Sequence, residues 1–308
     1  MERFRNILFA AAGGKEDGAA LDRANRLAFS NKARITLVRV VEDMPLAASC
    51  FFSKERLAEL TAATRAVAQA DLDRLVEKLD PAVRAETLVL NGKPFIELIR
   101  TVLGQGHDLL IKSGPAVTDS PALAGTDLHL LRKCPCPVWI IKPTQRKPFG
   151  KILVAVDPDP TDPERLSLHA DLVKLATSLA KNENSKIDVV HIWQLEGESF
   201  LRGPRFKMSD EEIDTLSKEV GATHKKWLEE LLAPYADLPI KVTLAKGMAG
   251  PALIDVIERK KPDILLMGTV ARTGLPGLLI GNTAEFVLGK ISCSVLTVKP
   301  KNFRTPVS

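Results

Sequence analysis

Two stretches of the chain place chemically useful residue types at useful spacing. The first is Gly268-Thr-Val-Ala-Arg-Thr-Gly-Leu-Pro-Gly-Leu-Leu-Ile-Gly281-Asn-Thr-Ala-Glu, a glycine-rich run that follows the apolar segment Ile264–Met267. Close backbone approach to a ligand needs glycine, and a helix N-terminus offers unpaired N–H groups to an anion. The second is Cys134-Pro-Cys136, with His129 nearby. One intervening residue is short for a zinc knuckle, which uses two or more. Cys134 with His129 could bind a metal or report oxidation, but the paired ligands of a metal site are missing from the sequence. Cys136 precedes an apolar run and reads as a small buried residue.

Turnover has little support. The chain has no Gly-x-Ser-x-Gly elbow, no Walker-type loop and no paired-histidine helix motif. Its histidines (His107, His129, His169, His191 and His224) are scattered over both halves. Four cysteines in 308 residues make no disulfide framework, and the short apolar run near Met1 reads as a strand and not as a signal peptide. A cytoplasmic protein is expected. No apolar stretch reaches the ~20 residues of a membrane span. The formal charge of +5 lies in the first half: residues 1–150 carry 22 Lys and Arg against 17 Asp and Glu, residues 151–308 carry 21 against 21. Lys142 and Lys147 contribute to that surplus. Its charges are interspersed with acids, and the chain has one Tyr, so the footprint of a nucleic-acid binder, a dense basic stripe with aromatics, is absent.

The elements that must position these residues repeat once. Thr126-Asp-Leu-His-Leu-Leu-Arg-Lys-Cys-Pro-Cys136-Pro-Val-Trp-Ile-Ile-Lys-Pro143 matches Thr283-Ala-Glu-Phe-Val-Leu-Gly-Lys-Ile-Ser-Cys293-Ser-Val-Leu-Thr-Val-Lys-Pro300 at one constant offset. Asn6-Ile-Leu-Phe-Ala likewise matches Lys151-Ile-Leu-Val-Ala, and Asp108-Leu-Leu-Ile matches Asp263-Ile-Leu-Leu. The repeat unit is a whole domain. Domains over 1–143 and 151–308 are expected, with 144–150 as a polar linker punctuated by Pro and Gly. In each half, short runs rich in Val, Ile and Leu alternate with helix-period stretches such as Leu21–Phe29, Lys54–Leu79, Leu166–Ala180 and Asp210–Leu232. Continuous apolar runs are the mark of parallel strands covered on both faces. Ser209-Asp-Glu-Glu supplies a helix cap and first-turn acids. The pattern predicts an α/β fold: two tandem domains, each an open, mostly parallel five-stranded sheet with helices on both faces. Ligands of such sheets sit at the carboxyl ends of the strands. The halves should associate through their last strands, Val138–Ile141 and Val295–Val298, which would otherwise leave edges unpaired.

The run from Gly268 to Thr283 resembles the signature of the universal stress proteins: Gly, two residues, Gly, nine residues, then Gly followed by Ser or Thr. With Asp157 after the opening strand and the closing Cys293-Ser-Val-Leu-Thr-Val-Lys-Pro, the resemblance covers the second half, and the first half is a degenerate copy. The resemblance implies a Rossmann-like (adenine nucleotide alpha hydrolase-like) sheet and, in some members, ATP binding. It carries Asp157 over as the adenine-side acid, Ile192 as the strand end flanking adenine, and Gly268 and Gly281 as the first and last loop glycines, with Met267 and Thr283 as further nucleotide-binding candidates. Two positions depart from the pattern. Ala271 stands at the second glycine, where positive φ would cost ~1–2 kcal/mol, and Asn282 replaces the Ser or Thr, though its amide still donates. The first half has Ala12 where Asp157 stands, and the run Lys112–Asp127 replaces the glycine loop, its Asp119 and Asp127 set to repel a phosphate, which argues against nucleotide there.

The expected function is therefore a stress-response protein that binds a small-molecule ligand or a protein partner, its halves paired as an intramolecular pseudo-dimer that leaves room for a homodimer. One alternative is an ATP-binding switch with slow hydrolysis in the second half; another is a scaffold with vestigial pockets. Loops after each second strand carry Phe51 and Phe52, and Phe200 and Phe206. Such clusters read as lids over apolar crevices.

Overall fold

The computed structural model describes residues 4–14, 17–43, 51–115, 123, 125–143, 149–203, 206, 208–269 and 281–307. The first half runs β1 (Asn6–Ala10), α1 (Asp17–Asn31), β2 (Arg34–Val41), α2 (Lys54–Val76), β3 (Arg84–Asn91), α3 (Pro94–Gln105), β4 (Leu109–Ser113), α4 (Gly125–Lys133) and β5 (Val138–Ile141). The second runs β6 (Lys151–Val156), α5 (Pro163–Glu183), β7 (Lys186–Trp193), α6 (Glu198–Leu201), α7 (Asp210–Leu232), β8 (Ile240–Lys246), α8 (Ala249–Lys260), β9 (Ile264–Gly268), α9 (Asn282–Leu288) and β10 (Ser294–Val298). The strand order β3-β2-β1-β4-β5-β10-β9-β6-β7-β8 is one five-strand pattern and its mirror. Strands within each half are parallel.

The two sheets expected from the sequence are one sheet of ten strands. β10 pairs antiparallel with β5, in the register Val295↔Ile140, Leu296↔Trp139 and Thr297↔Val138, which is the meeting of last strands that the unpaired edges called for. Every residue of β1, β5 and β10 is buried, as continuous apolar strands require, whereas the outermost strands β3 and β8 are only partly covered. Two apolar layers flank the sheet. One lies under α1, α2, α5 and α7, with Trp139, Phe9, Leu172 and Leu228; the other lies under α3, α4, α8 and α9, with Leu98, Leu131, Leu253 and Val287.

Helix starts follow local chemistry. Ser209 caps α7 in a reciprocal box with Glu212, as its sequence suggested. Asp162 caps α5, with Pro163 in the first turn. That cap fixes the turn carrying Arg165.

Two residues near the junction of the halves are buried. Phe149, at the end of the stretch 144–150 expected as a polar linker, is fully buried. Its ring lies beside Trp139, and the Arg23 guanidinium of α1 sits 3.2 Å above it. Arg23 also pairs with Glu183 of α5 at 3.0 Å, so the linker's end is a hub between the halves. Lys142, part of the basic surplus of the first half, is buried too. Lys142 Nζ donates to Ile291 O across the junction, and Lys299 Nζ donates to Leu131 O in the opposite direction, each at 2.8 Å. The position in sequence hides both, because burying an ammonium is sustained only by acceptors that the other half provides.

Candidate functional site

The carboxyl ends of the strands in the second half carry a polar constellation. Asp157 follows β6 directly, with a third of its side chain exposed. Arg165, three residues into α5 from the Asp162 cap, reaches back to pair with Asp157 through one nitrogen and with Asp159 through the other, at 3.1 Å. Thr161 donates to Asp159 from both its backbone N–H and its hydroxyl. The Thr161 hydroxyl, then its N–H and Arg165, hold the Asp159 carboxyl below the usual range against the opposing effect of burial. Both acids are therefore bound by one arginine at the rim of the crevice.

Histidines dispersed in sequence converge beneath that rim. His191, on β7, is fully buried; its Nδ1 lies 3.1 Å from Val156 O and its Nε2 lies 2.8 Å from His224 Nδ1. Burial lowers the His191 pKa, with Asp157 opposing. A neutral His191 fits both contacts: its Nδ1–H donates to Val156 O, and its Nε2 accepts from His224. His224 of α7 lies between Trp193 and Trp227, at ring distances of 5.9 and 4.9 Å. Gly221 makes room for this, since a Cβ there would stand 2.7 Å from the Trp193 ring. His169 of α5 is also buried, and burial depresses its pKa to about 4. Its Nδ1 and the hydroxyl of Thr269, next to β9, are buried with no hydrogen-bond partner among the described residues. Buried polar atoms without partners are uncommon, and each calls for an explanation.

The residues carried over from the signature are only partly assembled. Gly268 ends β9 and packs closely, a Cβ there coming 3.1 Å from Leu168. Gly281 caps α9 with φ −60° and ψ 143°, an extended conformation open to any residue, and its N–H donates to Thr269 O at 3.2 Å. Asn282 is exposed and Thr283 half-buried in the first turn of α9. Met267 and Ile192 pack in the layer under α8 and α9, on the other side of the sheet from His169 in α5 and His224 in α7. Ala271 lies outside the described residues. The histidines were missed because their convergence needs β7, α5 and α7 together. The one available signal was His191 immediately before Ile192.

The other candidates are placed as follows. Phe51, Phe52, Phe200 and Phe206 are 81, 47, 58 and 47% exposed, and the last two rings pack against each other at 4.7 Å. The rest of the first aromatic loop, 45–50, is outside the described residues. His129 stacks on Phe95 at 4.3 Å, while Cys134 and Cys136 lie together, their sulfurs 3.5 Å apart. Among the described residues no group of three His, Cys, Asp or Glu could hold a metal ion. Nor is any helix among them long and apolar enough to cross a membrane. A cleft of about 490 Å³ opens at the opposite, amino end of β10, lined by Lys142, Ile254, Lys261, Lys290 and Cys293 among others. It lies far from the strand ends where ligands of such sheets bind.

The corresponding crevice of the first half is closed from within. Asp17, buried at the start of α1, accepts from Ala12 N at 3.1 Å, from Gly13 N at 2.7 Å and from the Ser113 hydroxyl. Asp127 is fully buried and paired with Lys112 at 2.9 Å. Asp119 lies outside the described residues.

The universal stress protein family model matches residues 3–142 and again 148–299, nearly the whole chain in two copies. The chain belongs to the universal stress protein family. It is 31% identical to universal stress protein E of Escherichia coli over 71% of this chain and 69% of that protein. Against the Salmonella typhi protein of the same name, identity is 29% over 100% of this chain and 98% of the relative. Among solved structures, a universal stress protein from Archaeoglobus fulgidus superposes with a TM-score of 0.65 at 16% identity, covering 96% of this chain and 98% of the other. At that identity the likeness speaks for the fold. The tandem universal stress protein domains and their Rossmann-like, mostly parallel sheet thus agree with the sequence reading.

Proposed function

We propose that this universal stress protein is a cytoplasmic binding protein whose second half takes a small ligand, while its first half serves as a closed structural partner. The difference between the two crevices carries this reading. In the first, Asp17 consumes the N–H groups of Ala12 and Gly13. In the second, Asp157 stands at the rim on a displaceable arginine, and the His169 Nδ1 and Thr269 hydroxyl are buried without partners among the described residues. The protein acts through ligand occupancy or through a protein partner and not by turnover. The candidate lids Phe51 with Phe52, and Phe200 with Phe206, would cover apolar parts of such a ligand. Exposed rings of this kind mark binding surfaces.

Adenine nucleotide is the second reading, and Arg165 favours it. A nucleotide base that takes Asp157 frees the guanidinium, which is then within reach of the phosphates as a bidentate donor. Gly268, Gly281, Asn282 and Thr283 would flank those phosphates, and Ala271 need only avoid positive φ.

Equilibrium dialysis of the full chain with ATP separates the readings, alongside mass spectrometry of gently purified protein. Retention of ATP that Asp157→Ala abolishes establishes the nucleotide switch. A different small molecule, also lost in Asp157→Ala, supports the binding protein. No retained or dialysed ligand in a natively folded chain overturns both in favour of a scaffold.

A further inference from the structure

The two halves place one lysine each across their junction, and the surroundings of these lysines differ. Lys142 meets the carbonyl of Ile291, and the thiol near it, Cys293, is pushed up to about 12 by burial. An isolated, protonated thiol of that kind is inert. Lys299 meets a thiol pair. Cys134 closes α4, its N–H bonded to Leu130 O, and Cys136 follows after one proline. Both are buried, with Sγ atoms 3.5 Å apart. Lys299 arrives from the end of β10 in the other half and is anchored on Leu131 O, with the Phe303 ring 5.2 Å from its ammonium.

The charges of this cluster are matched. Burial lowers Lys299 to about 8, and the two cysteines oppose that fall. Burial alone would raise the Cys134 thiol. The Cys136 S–H, the Lys299 charge and a backbone contact outweigh it and hold Cys134 below its ordinary value. Cys136 is pushed up by burial and by Cys134, with Asp108 adding to the rise and Lys299 opposing it. Cys134 is thus the sulfur on which the penalty of burial is outweighed, beside a cation and in contact with the second thiol. That is the arrangement of an attacking and a resolving thiol.

We propose that Cys134, Cys136 and Lys299 form a peroxide-reactive dithiol site built jointly by the two halves. The Cys134 thiolate attacks one oxygen of hydrogen peroxide and the O–O bond breaks. The departing hydroxide takes the proton that Lys299 holds and leaves as water, and Cys134 becomes a sulfenic acid. Cys136 then attacks the Cys134 sulfur. The S–O bond breaks, and the hydroxide leaves with the Cys136 proton as a second water. Two thiols are oxidised to one disulfide and one peroxide is reduced to two waters. The sulfurs close from 3.5 Å to a bonding distance of ~2.0 Å. Lys299 then loses the sulfur charge it faces, and its crossing from the second half to the first is weakened.

The test treats the full native chain with hydrogen peroxide, quenches by alkylation and maps peptides. A Cys134–Cys136 disulfide is expected, with Cys293 still alkylated on unfolding and a lowered melting temperature that a dithiol reductant restores. In Cys136→Ser the reaction should halt at a Cys134 sulfenic acid, trapped by dimedone. Lys299→Met should slow Cys134 oxidation, because the sulfur loses the cation that favours its thiolate, while Lys142→Met leaves it unchanged. The proposal falls if Cys134 and Cys136 both stay alkylatable after peroxide, or if their disulfide forms only in unfolded chain. It falls too if natively folded Lys299→Met reacts at the wild-type rate. Should Lys299→Met not fold, the dimedone adduct in Cys136→Ser decides: its absence from Cys134 in natively folded protein overturns the site.

Discussion

Two copies of one fold meet in this chain, and they have treated the same corner of the sheet in opposite ways. Where the first strand of the first half ends, a buried carboxylate, Asp17, takes the neighbouring backbone N–H groups and the Ser113 hydroxyl. Past the end of the first strand of the second half, where the first half has Ala12, a partly exposed carboxylate, Asp157, faces an arginine, with histidines packed below. A carboxylate bound by backbone donors in the interior is structural, because removing it strands those donors. A carboxylate paired at the rim is available, because water or a ligand can replace its partner. The same residue type thus serves as a plug in one half and as a candidate receptor in the other, and its burial makes the difference.

That contrast can be broken by exchange of single residues. Asp17→Ala should give the largest effect, a loss of roughly 2–4 kcal/mol in chemical denaturation, from two stranded N–H groups and an unpaired hydroxyl. Asp157→Ala should cost no more than about 1 kcal/mol, as expected of a partly exposed ion pair. Equal costs for the two would show that both acids are structural and remove the distinction.

Acid sharpens the comparison, because α1 has no counterpart of His169. Burial lowers His169 from 6.5 to about 4, so between those values the unfolded chain binds a proton that the folded chain refuses. Stability should therefore fall as pH drops through that window and hold above it, by up to about 3 kcal/mol in total. His191, also lowered by burial, adds in the same direction. Melting curves at neutral pH and near pH 5 should show a smaller difference in His169→Gln than in the parent. An unchanged difference would mean that the histidine is already solvated.

The smallest effect belongs to the aromatic loops. Phe51→Ser with Phe52→Ser should shift stability by less than about 1 kcal/mol, since exposed side chains contribute little. Binding of an apolar fluorescent probe should change all the same. A large stability loss without any change in probe binding would make these rings core and end the lid reading.

Apolar runs such as Ile7–Ala10 and Ile264–Met267, the Ser209 cap and the repeat around Cys136 and Cys293 are local signals. They were enough for the tandem α/β fold, the family and the meeting of the last strands, because strand period, helix caps and unpaired edges are properties of neighbours in sequence. The same residues also pointed to Asp157 and the Gly268–Thr283 run. What no local pattern carries is the pairing of distant groups. Arg165 on Asp157, His224 on His191, Phe149 under Arg23 and Lys299 beside the thiols all join elements far apart in the chain. Lysine and histidine look alike in sequence whether solvated or buried; the desolvation that decides their charge, and the acceptors that sustain it, exist only once the two halves have closed on one sheet.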